Sequence, residues 1–158
     1  MASFLTSSSR PLSGSIRVPG DKSISHRSIM LGSIASGTTK ISGFLQGEDS
    51  LATLNAFKEM GVSIEQNSSN VTIHGVGMHG LKAPTNALNL GNSGTSIRLM
   101  SGLLSAQSFD SELCGDESLS KRPMGRVIEP LRQMGADISG PNSMPPLSIT
   151  GGKALTAI

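Results

Sequence analysis

The sequence predicts an α/β (α+β) fold made of two consecutive β-α-β-α-β-β repeats. The first observation is self-similarity: "GEDSLATLNAFKEMGVSI" (47–64) matches "GDESLSKRPMGRVIEPLRQMGADI" (115–138) at both ends. The second is that a small polar turn leads to an arginine, Arg27 or Arg98, near the start of an apolar helix in each copy. These matches divide the chain into an N-terminal tail and lead strand (1–18), a first repeat (19–80), a second repeat (81–152) and the start of a next segment (153–158).

Apolar periodicity predicts the same elements in each copy. In the first copy, in order, we expect a lead strand near Ser15–Val18, a helix at about Ser25–Ala35, a strand at Thr38–Phe44, a helix at Ser50–Met60, and strands at Val62–Gln66 and Val71–Gly75. In the second copy we expect a strand at Ala87–Leu90, a helix at Thr95–Ala106, a strand at Asp110–Cys114, a helix around Val127–Met134, and short strands at Ala136–Ser139 and Leu147–Thr150.

Glycine and proline mark the ends of the second helix in each copy. Gly61 and Gly135 follow these helices, where a helix C-terminus favours a residue that adopts positive φ. Pro130 is expected to start or kink its helix, because proline cannot donate a hydrogen bond in mid-helix.

The composition excludes several classes of protein. A hydrophobic content of 36% with a mean hydropathy of −0.02 indicates a soluble globular chain without a membrane span. Cys114 is the single cysteine, so no intrachain disulfide is expected and a reducing cytoplasm fits best. The opening "MASFLTSSSR" is expected to be a frayed terminus rather than a targeting segment. A net charge of +2 without tyrosine or tryptophan disfavours a nucleic-acid surface.

Acidic residues are absent from two long windows, Lys22 to Gly47 and Gln66 to Phe109. Each window contains a Gly/Ser-rich turn together with lysine or arginine. One explanation is chance clustering of only eleven acidic residues. The other is a pocket that holds an anion and excludes negative charge.

Two motifs with possible cofactor or metal chemistry do not meet their structural requirements. "GVGMHG" (75–80) fits G-x-G-x-x-G, but Pro84 follows it where a dinucleotide fold needs a helix, so a loop between the repeats is favoured. His74 and His79 have a poor spacing for zinc. No cofactor or metal is therefore expected, and His26 is expected to donate locally or face solvent.

Two turn-plus-arginine segments remain as candidate anion sites. In "GDKSISHR" (20–27), Lys22 supplies a point charge, Ser23 a short donor and Arg27 a planar fork for two oxygens of a phosphate or carboxylate. Ordinary N-capping would explain one serine but not the lysine and arginine together.

The second segment, "LGNSGTSIR" (90–98), has two glycines that allow close approach of the backbone to a ligand, and a helix start that attracts anions. Its further donors are Asn92, Ser93, Thr95 and Arg98. A third basic cluster, "SKRPMGR" (120–126), is either solvated surface or an addition to the same site.

Three motifs resemble a known family. "PGDKSISHR", "LGNSGTSIR" and "GDESLSKRPMGR", in that order and spacing, resemble the 3-phosphoshikimate 1-carboxyvinyltransferase (EPSP synthase) family of the shikimate pathway. The resemblance covers nearly the whole chain from Leu12 onward. The related UDP-N-acetylglucosamine enolpyruvyl transferases share the fold and chemistry without the "DKSISHR" form, and they are the alternative.

The resemblance implies an inside-out α/β barrel fold of two globules, each built from three β-α-β-α-β-β units. This chain would hold two units of one globule, with the third repeat and the second globule missing. The lead segment Leu12–Val18 would then lack its partner strands, and an apolar flank would be uncovered. An isolated chain would be, at best, a non-catalytic anion-binding half-domain that needs the C-terminal globule in cis or as a complementing chain.

The resemblance also implies a transferase reaction in aromatic amino-acid biosynthesis. The enolpyruvyl group of phosphoenolpyruvate would be joined to the 5-hydroxyl of shikimate 3-phosphate, with release of phosphate, no cofactor, and glyphosate as a competitor. Lys22 would be catalytic and contact both substrates, and Ser23 and Arg27 would hold shikimate 3-phosphate. Phosphoenolpyruvate would also contact three residues of the second repeat: Asn92, Gly94 and Arg122. Three others would support the site: Asp49, Thr95 and Arg98.

Overall fold

The computed structural model describes residues 3–7, 11 and 13–158. The first repeat contains, in order, α1 (Lys22–Ile34), β1 (Ser36–Ile41), α2 (Glu48–Glu59), β2 (Ser63–Asn67) and β3 (Asn70–Val76). The second contains β4 (Leu88–Asn89), α3 (Gly94–Ser105), β5 (Ser111–Cys114), the short α4 (Glu117–Ser120), α5 (Gly125–Gln133), β6 (Asp137–Ser139), a 3₁₀ turn (Pro141–Ser143) and β7 (Leu147–Thr150).

Each repeat forms its own sheet with the same strand order. In the first, β3 lies between β1 and β2 and is antiparallel to both. In the second, β7 lies between β5 and β6 in the same antiparallel way, and β4 adds a parallel edge strand to β5. The two sheets therefore share the strand order of their three antiparallel strands.

The helix ends repeat as closely as the sheets. Gly61 and Gly135 have φ of +87° and +97°, as predicted for residues that end a helix. After each helix the chain returns to the same place: the Lys82 amide donates to the Met60 carbonyl at 2.9 Å, and the Thr156 amide donates to the Met134 carbonyl at 2.8 Å. Both bonds span the same number of residues, so each repeat closes on the end of its own second helix.

The helices cover the sheets and bring the two repeats together. The first helix, α1, packs against β3 and α2, and α3 packs against β5, β7 and α5. Contact between the repeats runs mainly through helices, where α1 meets α3, and through α2 against β4. As a result, the N-termini of α1 and α3 lie next to each other at one end of the molecule.

Several predicted boundaries are wrong. Residues 13–21 are irregular, and Ser15–Val18 are exposed, so the lead strand predicted there is not formed. A strand needs a hydrogen-bonding neighbour, and no described strand pairs with this segment. Leu12 and the tail residues Met1, Ala2, Ser8, Ser9 and Arg10 lie outside the described residues.

Helix starts differ because caps were not recognised in the sequence. The first helix begins at Lys22 rather than Ser25, because the Asp21 side chain caps it. The last helix begins at Gly125, so Pro130 lies within it and does not start it. "GVGMHG" is followed by irregular chain and not by a helix, as expected for a loop between the repeats.

Candidate active site

The first candidate segment forms the N-terminal turns of α1. The Asp21 carboxylate accepts a hydrogen bond from the Ile24 amide at 2.7 Å and so fixes the start of the helix. The ammonium group of Lys22 forms an ion pair with the Asp49 carboxylate, which belongs to the first turn of α2. The three residues predicted to bind an anion here are all exposed to solvent: Lys22, Ser23 and Arg27. Because Asp49 approaches from outside the acid-free window, this half of the site contains one carboxylate.

The second candidate segment forms the turn before α3 and the start of that helix. Ser93 caps the helix, since its hydroxyl accepts from the Ser96 amide at 3.1 Å. Asn92 precedes the cap, and its side-chain amide donates to the Asp116 carboxylate at 2.8 Å. The start of α3 carries no acidic residue in its first turn, so its amides and dipole favour an anion.

Two guanidinium groups converge on Gly94, the first residue of α3. A Cβ atom placed on Gly94 would lie 2.8 Å from Nη1 of Arg98 and 2.9 Å from Nη1 of Arg122. Arg98 donates to the Gly94 carbonyl at 3.0 Å, and its buried Nε has no partner among the described residues. Arg122 donates to the side-chain oxygen of Asn92 and, at 3.4 Å, to the Ser118 hydroxyl. Within the described part of the chain, neither arginine forms a salt bridge.

A buried polar cluster joins the two segments, and it corrects the expectation for His26. The ring of His26 is 0% exposed and does not face solvent. Its Nδ1 lies 2.8 Å from the Thr53 hydroxyl and 3.1 Å from the Ser96 hydroxyl, and its Nε2 lies 3.5 Å from the Ser93 hydroxyl. The hydroxyls also contact one another, Thr53 with Ser96 at 2.5 Å and Ser93 with Ser96 at 2.7 Å. We call these four residues the His26 cluster.

The surroundings shift two pKa values near the site. Burial lowers the pKa of His26 below its usual value, and the nearby Lys22 cation lowers it further. The Leu119 amide, followed by the Asn92 side chain, lowers the pKa of Asp116 by hydrogen bonding to its carboxylate. The site therefore favours a neutral imidazole and an ionised Asp116.

Only part of the third basic cluster belongs to the site. Arg122 reaches Asn92, whereas Lys121 pairs with Glu117 at 2.5 Å on the surface, and Arg126 is exposed. Thr95 is half-buried in the first turn of α3. The structure thus brings Asn92, Gly94, Arg98 and Arg122 together directly, and brings the α1 segment beside them through the His26 cluster.

The sequence did not predict the His26 cluster as a unit. Nothing in the local sequence marks Thr53 or Ser96 as partners of His26. They lie 27 and 70 residues away from it, and a single sequence carries no signal for contacts over such separations. A signal for His26 itself is present: apolar Ile29 and Met30 follow it by three and four residues, and residues at that spacing share one face of a helix.

The fold and site define a class of protein: an α/β repeat chain in which two helix N-termini that carry lysine and arginine lie beside each other. The model of the family "EPSP synthase (3-phosphoshikimate 1-carboxyvinyltransferase)" matches residues 6–158. The chain belongs to this family. Within the described residues, no helix is both long and apolar enough to cross a membrane.

Relatives from several bacteria are similar over the whole chain. It is 67% identical over 158 residues to the 3-phosphoshikimate 1-carboxyvinyltransferase of Ruthia magnifica, covering 100% of this chain and 36% of that protein. It is 58% identical over 159 residues to that of Legionella pneumophila strain Philadelphia 1, covering 100% of this chain and 37% of the relative. A solved structure, EPSP synthase from Acinetobacter baumannii, is similar with a TM-score of 0.88 and 66% identity over 92% of this chain and 34% of that one. The chain therefore spans about a third of the length of its relatives.

Proposed function

We propose that this chain supplies the N-terminal portion of a 3-phosphoshikimate 1-carboxyvinyltransferase. The reaction joins the enolpyruvyl group of phosphoenolpyruvate to the 5-hydroxyl of shikimate 3-phosphate and releases phosphate. Support comes from family membership together with relatives of that name at 67% and 58% identity. The proposed whole is an inside-out α/β barrel of two globules, to which this chain contributes two repeats and the rest is supplied in cis or by a complementing chain.

The single observation that carries the proposal is the convergence of Arg98 and Arg122 on Gly94, where neither forms a salt bridge with a carboxylate of residues 3–7, 11 or 13–158. Two guanidinium groups held close together repel each other, and a bound anion relieves that repulsion. The missing side chain of Gly94 leaves room for the anion against the helix start. A small dianion such as phosphoenolpyruvate fits this arrangement, with Asn92 holding Arg122 in place.

The α1 segment is proposed to hold the second substrate. Ser23 and Arg27 would bind the phosphate of shikimate 3-phosphate, and Lys22 would lie between the two substrates. In the Lys22–Asp49 ion pair the carboxylate holds the ammonium group in position for both. Cys114 is a free cysteine, which fits a reducing compartment, and we therefore propose a cytoplasmic enzyme.

The chemistry is proposed to be addition followed by elimination. The 5-hydroxyl gives up its proton to a base as its oxygen bonds to C2 of phosphoenolpyruvate, and the electron pair of the C2–C3 double bond takes up a proton at C3, which gives a tetrahedral intermediate. Loss of a proton from C3 and of phosphate from C2 then restores the double bond. Lys22 is proposed to assist a proton transfer, and Arg122 and the start of α3 to stabilise the phosphate that leaves.

Calorimetric titration of shikimate 3-phosphate into this chain, with and without phosphoenolpyruvate, tests the binding half of the proposal. We expect binding that Arg27→Ala abolishes and that Arg126→Ala, an exposed arginine outside the site, leaves unchanged. Steep salt dependence that is the same for any polyanion would contradict a specific site and favour a basic surface.

A chimera tests the catalytic half. In it, residues 1–158 replace the matching 36% of a full-length relative such as that of Ruthia magnifica. We expect release of phosphate only when both substrates are present, inhibition by glyphosate in competition with phosphoenolpyruvate, and no phosphate release from Lys22→Ala. A folded chimera that does not release phosphate would overturn the proposed function.

A further inference from the structure

We propose that His26 is a positioning residue that holds the two anion-binding segments, at the starts of α1 and α3, in one fixed arrangement. The inference rests on the proposed function, since it concerns how the same site is assembled. His26 contacts neither proposed ligand directly. It acts through Thr53, Ser93 and Ser96, so its role differs from those of exposed Lys22 and Arg27.

The position of His26 in α1 is the first argument. It lies between Lys22 and Arg27, which are exposed, and its own side chain is directed inward at 0% exposure. The first two turns of α1 therefore carry both the groups proposed to bind the substrate and the group that anchors the helix to the interior. A shift of the ring would move the backbone that carries Lys22 and Arg27.

The partners of the ring are the second argument, because they come from two other helices. Thr53 belongs to α2, and its hydroxyl also donates to the Asp49 carbonyl at 3.2 Å, close to the carboxylate that pairs with Lys22. Ser93 caps α3, and Ser96 lies in its first turn, on either side of Gly94. The His26 cluster is thus the polar contact that α1, α2 and α3 share at the end where the site lies.

Burial makes these contacts costly to lose. All four side chains are at most 1% exposed, so water cannot replace a missing partner without entering the core. A neutral imidazole offers one donor and one acceptor, and the surrounding hydroxyls can satisfy both. Replacing His26 with alanine would remove one hydrogen-bond partner from the buried hydroxyls of Thr53, Ser93 and Ser96 and open a cavity between the three helices.

The consequence for the site is a joint effect on both ligands. If the cluster sets the spacing of α1 and α3, its loss weakens the binding of shikimate 3-phosphate and of phosphoenolpyruvate together. A residue that contacted only one ligand would affect mainly that ligand. A residue needed only for stability would lower the amount of folded protein without changing either KM.

The test uses the active full-length chimera with His26→Ala, Ser96→Ala and the double variant. The matched control is Ser101→Ala: Ser101 is also 0% exposed and on α3, but its hydroxyl donates only to the Ile97 carbonyl of its own helix. We expect His26→Ala and Ser96→Ala each to raise both KM values at least fivefold, and Ser101→Ala to change neither by more than twofold. His26→Asn, which keeps a donor and an acceptor, should recover most of the loss.

The double variant distinguishes a shared network from two separate effects. Because both residues act through one cluster, we expect its KM values to be close to those of the worse single variant rather than to the product of the two effects. Melting temperatures identify variants that do not fold, and Ser96→Ala tests the proposal from α3 if His26→Ala is one of them.

Two results would overturn the inference. One is a pair of KM values in His26→Ala and Ser96→Ala no higher than in Ser101→Ala, which would leave the proposed function standing. The other is an unmodified chimera that folds but does not turn over, which would remove the proposed function and this inference with it.

Discussion

At the scale of single residues, Gly94 is the position where an added methyl group has the most specific consequence. Its Cβ would meet the ends of Arg98 and Arg122 at 2.8 and 2.9 Å. Both are flexible side chains, so we expect the fold to survive and the guanidinium groups to move apart. Gly94→Ala should weaken the binding of phosphoenolpyruvate, and that of glyphosate more. The inhibition constant of glyphosate should rise about tenfold, which corresponds to about 1.4 kcal/mol of binding free energy.

Inhibition assays on the chimera measure this effect, and α3 itself supplies the control. Gly102 lies in the same helix with nothing within 4 Å of the position its Cβ would occupy. Gly102→Ala should leave inhibition unchanged and stabilise the helix by about 1 kcal/mol. Unchanged glyphosate inhibition in Gly94→Ala would refute the placement of phosphoenolpyruvate against Gly94.

His26 predicts a pH dependence of stability. Burial, then the Lys22 cation, lowers its pKa in the folded chain; Asp49 opposes this shift and Arg27 adds to it. In the unfolded chain the ring of His26 has the ordinary histidine pKa of about 6.5. Below that pH the unfolded state binds a proton that the folded state does not, so the free energy of unfolding should decrease as the pH falls. Above it, His26 should contribute no slope.

Denaturant titrations between about pH 5 and 7.5 measure this dependence. The informative quantity is the difference between the original chain and His26→Asn, because the rest of the chain is the same in both. The decrease below about pH 6.5 should be smaller in the variant. If the free energy of unfolding depends on pH equally in both chains, burial does not lower the pKa of His26.

Single-residue chemistry was predictable where the residue type alone specifies it. Lysine, arginine and glycine in two polar turns predict two candidate anion-binding segments, and the structure brings Asn92, Gly94 and Arg122 together. The interior position of His26 was not predictable, because it depends on Thr53 and Ser96 arriving from other helices. Local sequence carries no information on such long-range partners. The substrate roles of all these residues stay predictions.

At the scale of elements, the two helix-ending glycines predict that alanine destabilises both repeats at the same place. Both have positive φ, which costs a residue with a Cβ about 1–2 kcal/mol. Gly61→Ala and Gly135→Ala should therefore each lower the free energy of unfolding by about that amount. Gly102→Ala, at a helical position in α3, should instead raise it.

Denaturant unfolding of the three variants checks the sign at each position. The Cβ of alanine at Gly61 would also meet the Lys82 side chain at 3.0 Å, and at Gly135 the Ala154 carbonyl at 3.1 Å. The carbonyl is less free to move, so Gly135→Ala is expected to be the more destabilising. A neutral effect at both positions would mean that the helix ends relax freely.

Element type was more predictable than element limits. Periodicity predicted most of the helices and strands, because each buries one apolar face. Helix caps and strand pairing determine where the elements begin and end. The Asp21 cap places the start of α1 at Lys22, three residues before the predicted start. Asp116 caps α4, whose four residues are too few to show a helical period. The lead strand failed because strand formation depends on a neighbour that a local pattern does not specify.

At the scale of the whole molecule, the outer face of α1 and α3 is apolar and uncovered. Ile24, Leu31 and Leu99 are 68%, 63% and 40% exposed, and an apolar hollow between the helices reaches Met30 and Leu103. This agrees with the uncovered flank expected from the sequence. We expect the isolated chain to associate through this face as its concentration rises.

Sedimentation velocity over a range of concentrations measures this association. Leu31→Lys should shift the chain towards monomer, whereas Met78→Lys, at 55% exposure on the loop between the repeats, should not. A sharp, cooperative melt that does not depend on concentration, with no association in sedimentation, would contradict the prediction.

The separate sheets have a consequence for synthesis. All pairing in the first sheet lies between Ser36 and Val76, so that sheet needs nothing from the second repeat. On a ribosome it can form as soon as β3 has left the exit tunnel, while α3 is still inside the tunnel. Until α3 emerges, the imidazole ring of His26 on α1 has its partner Thr53 on α2 but no partner on α3. The start of α1, which carries Lys22, Ser23 and Arg27, would thus be the first part of the candidate site to fold and the last to be held in its final position.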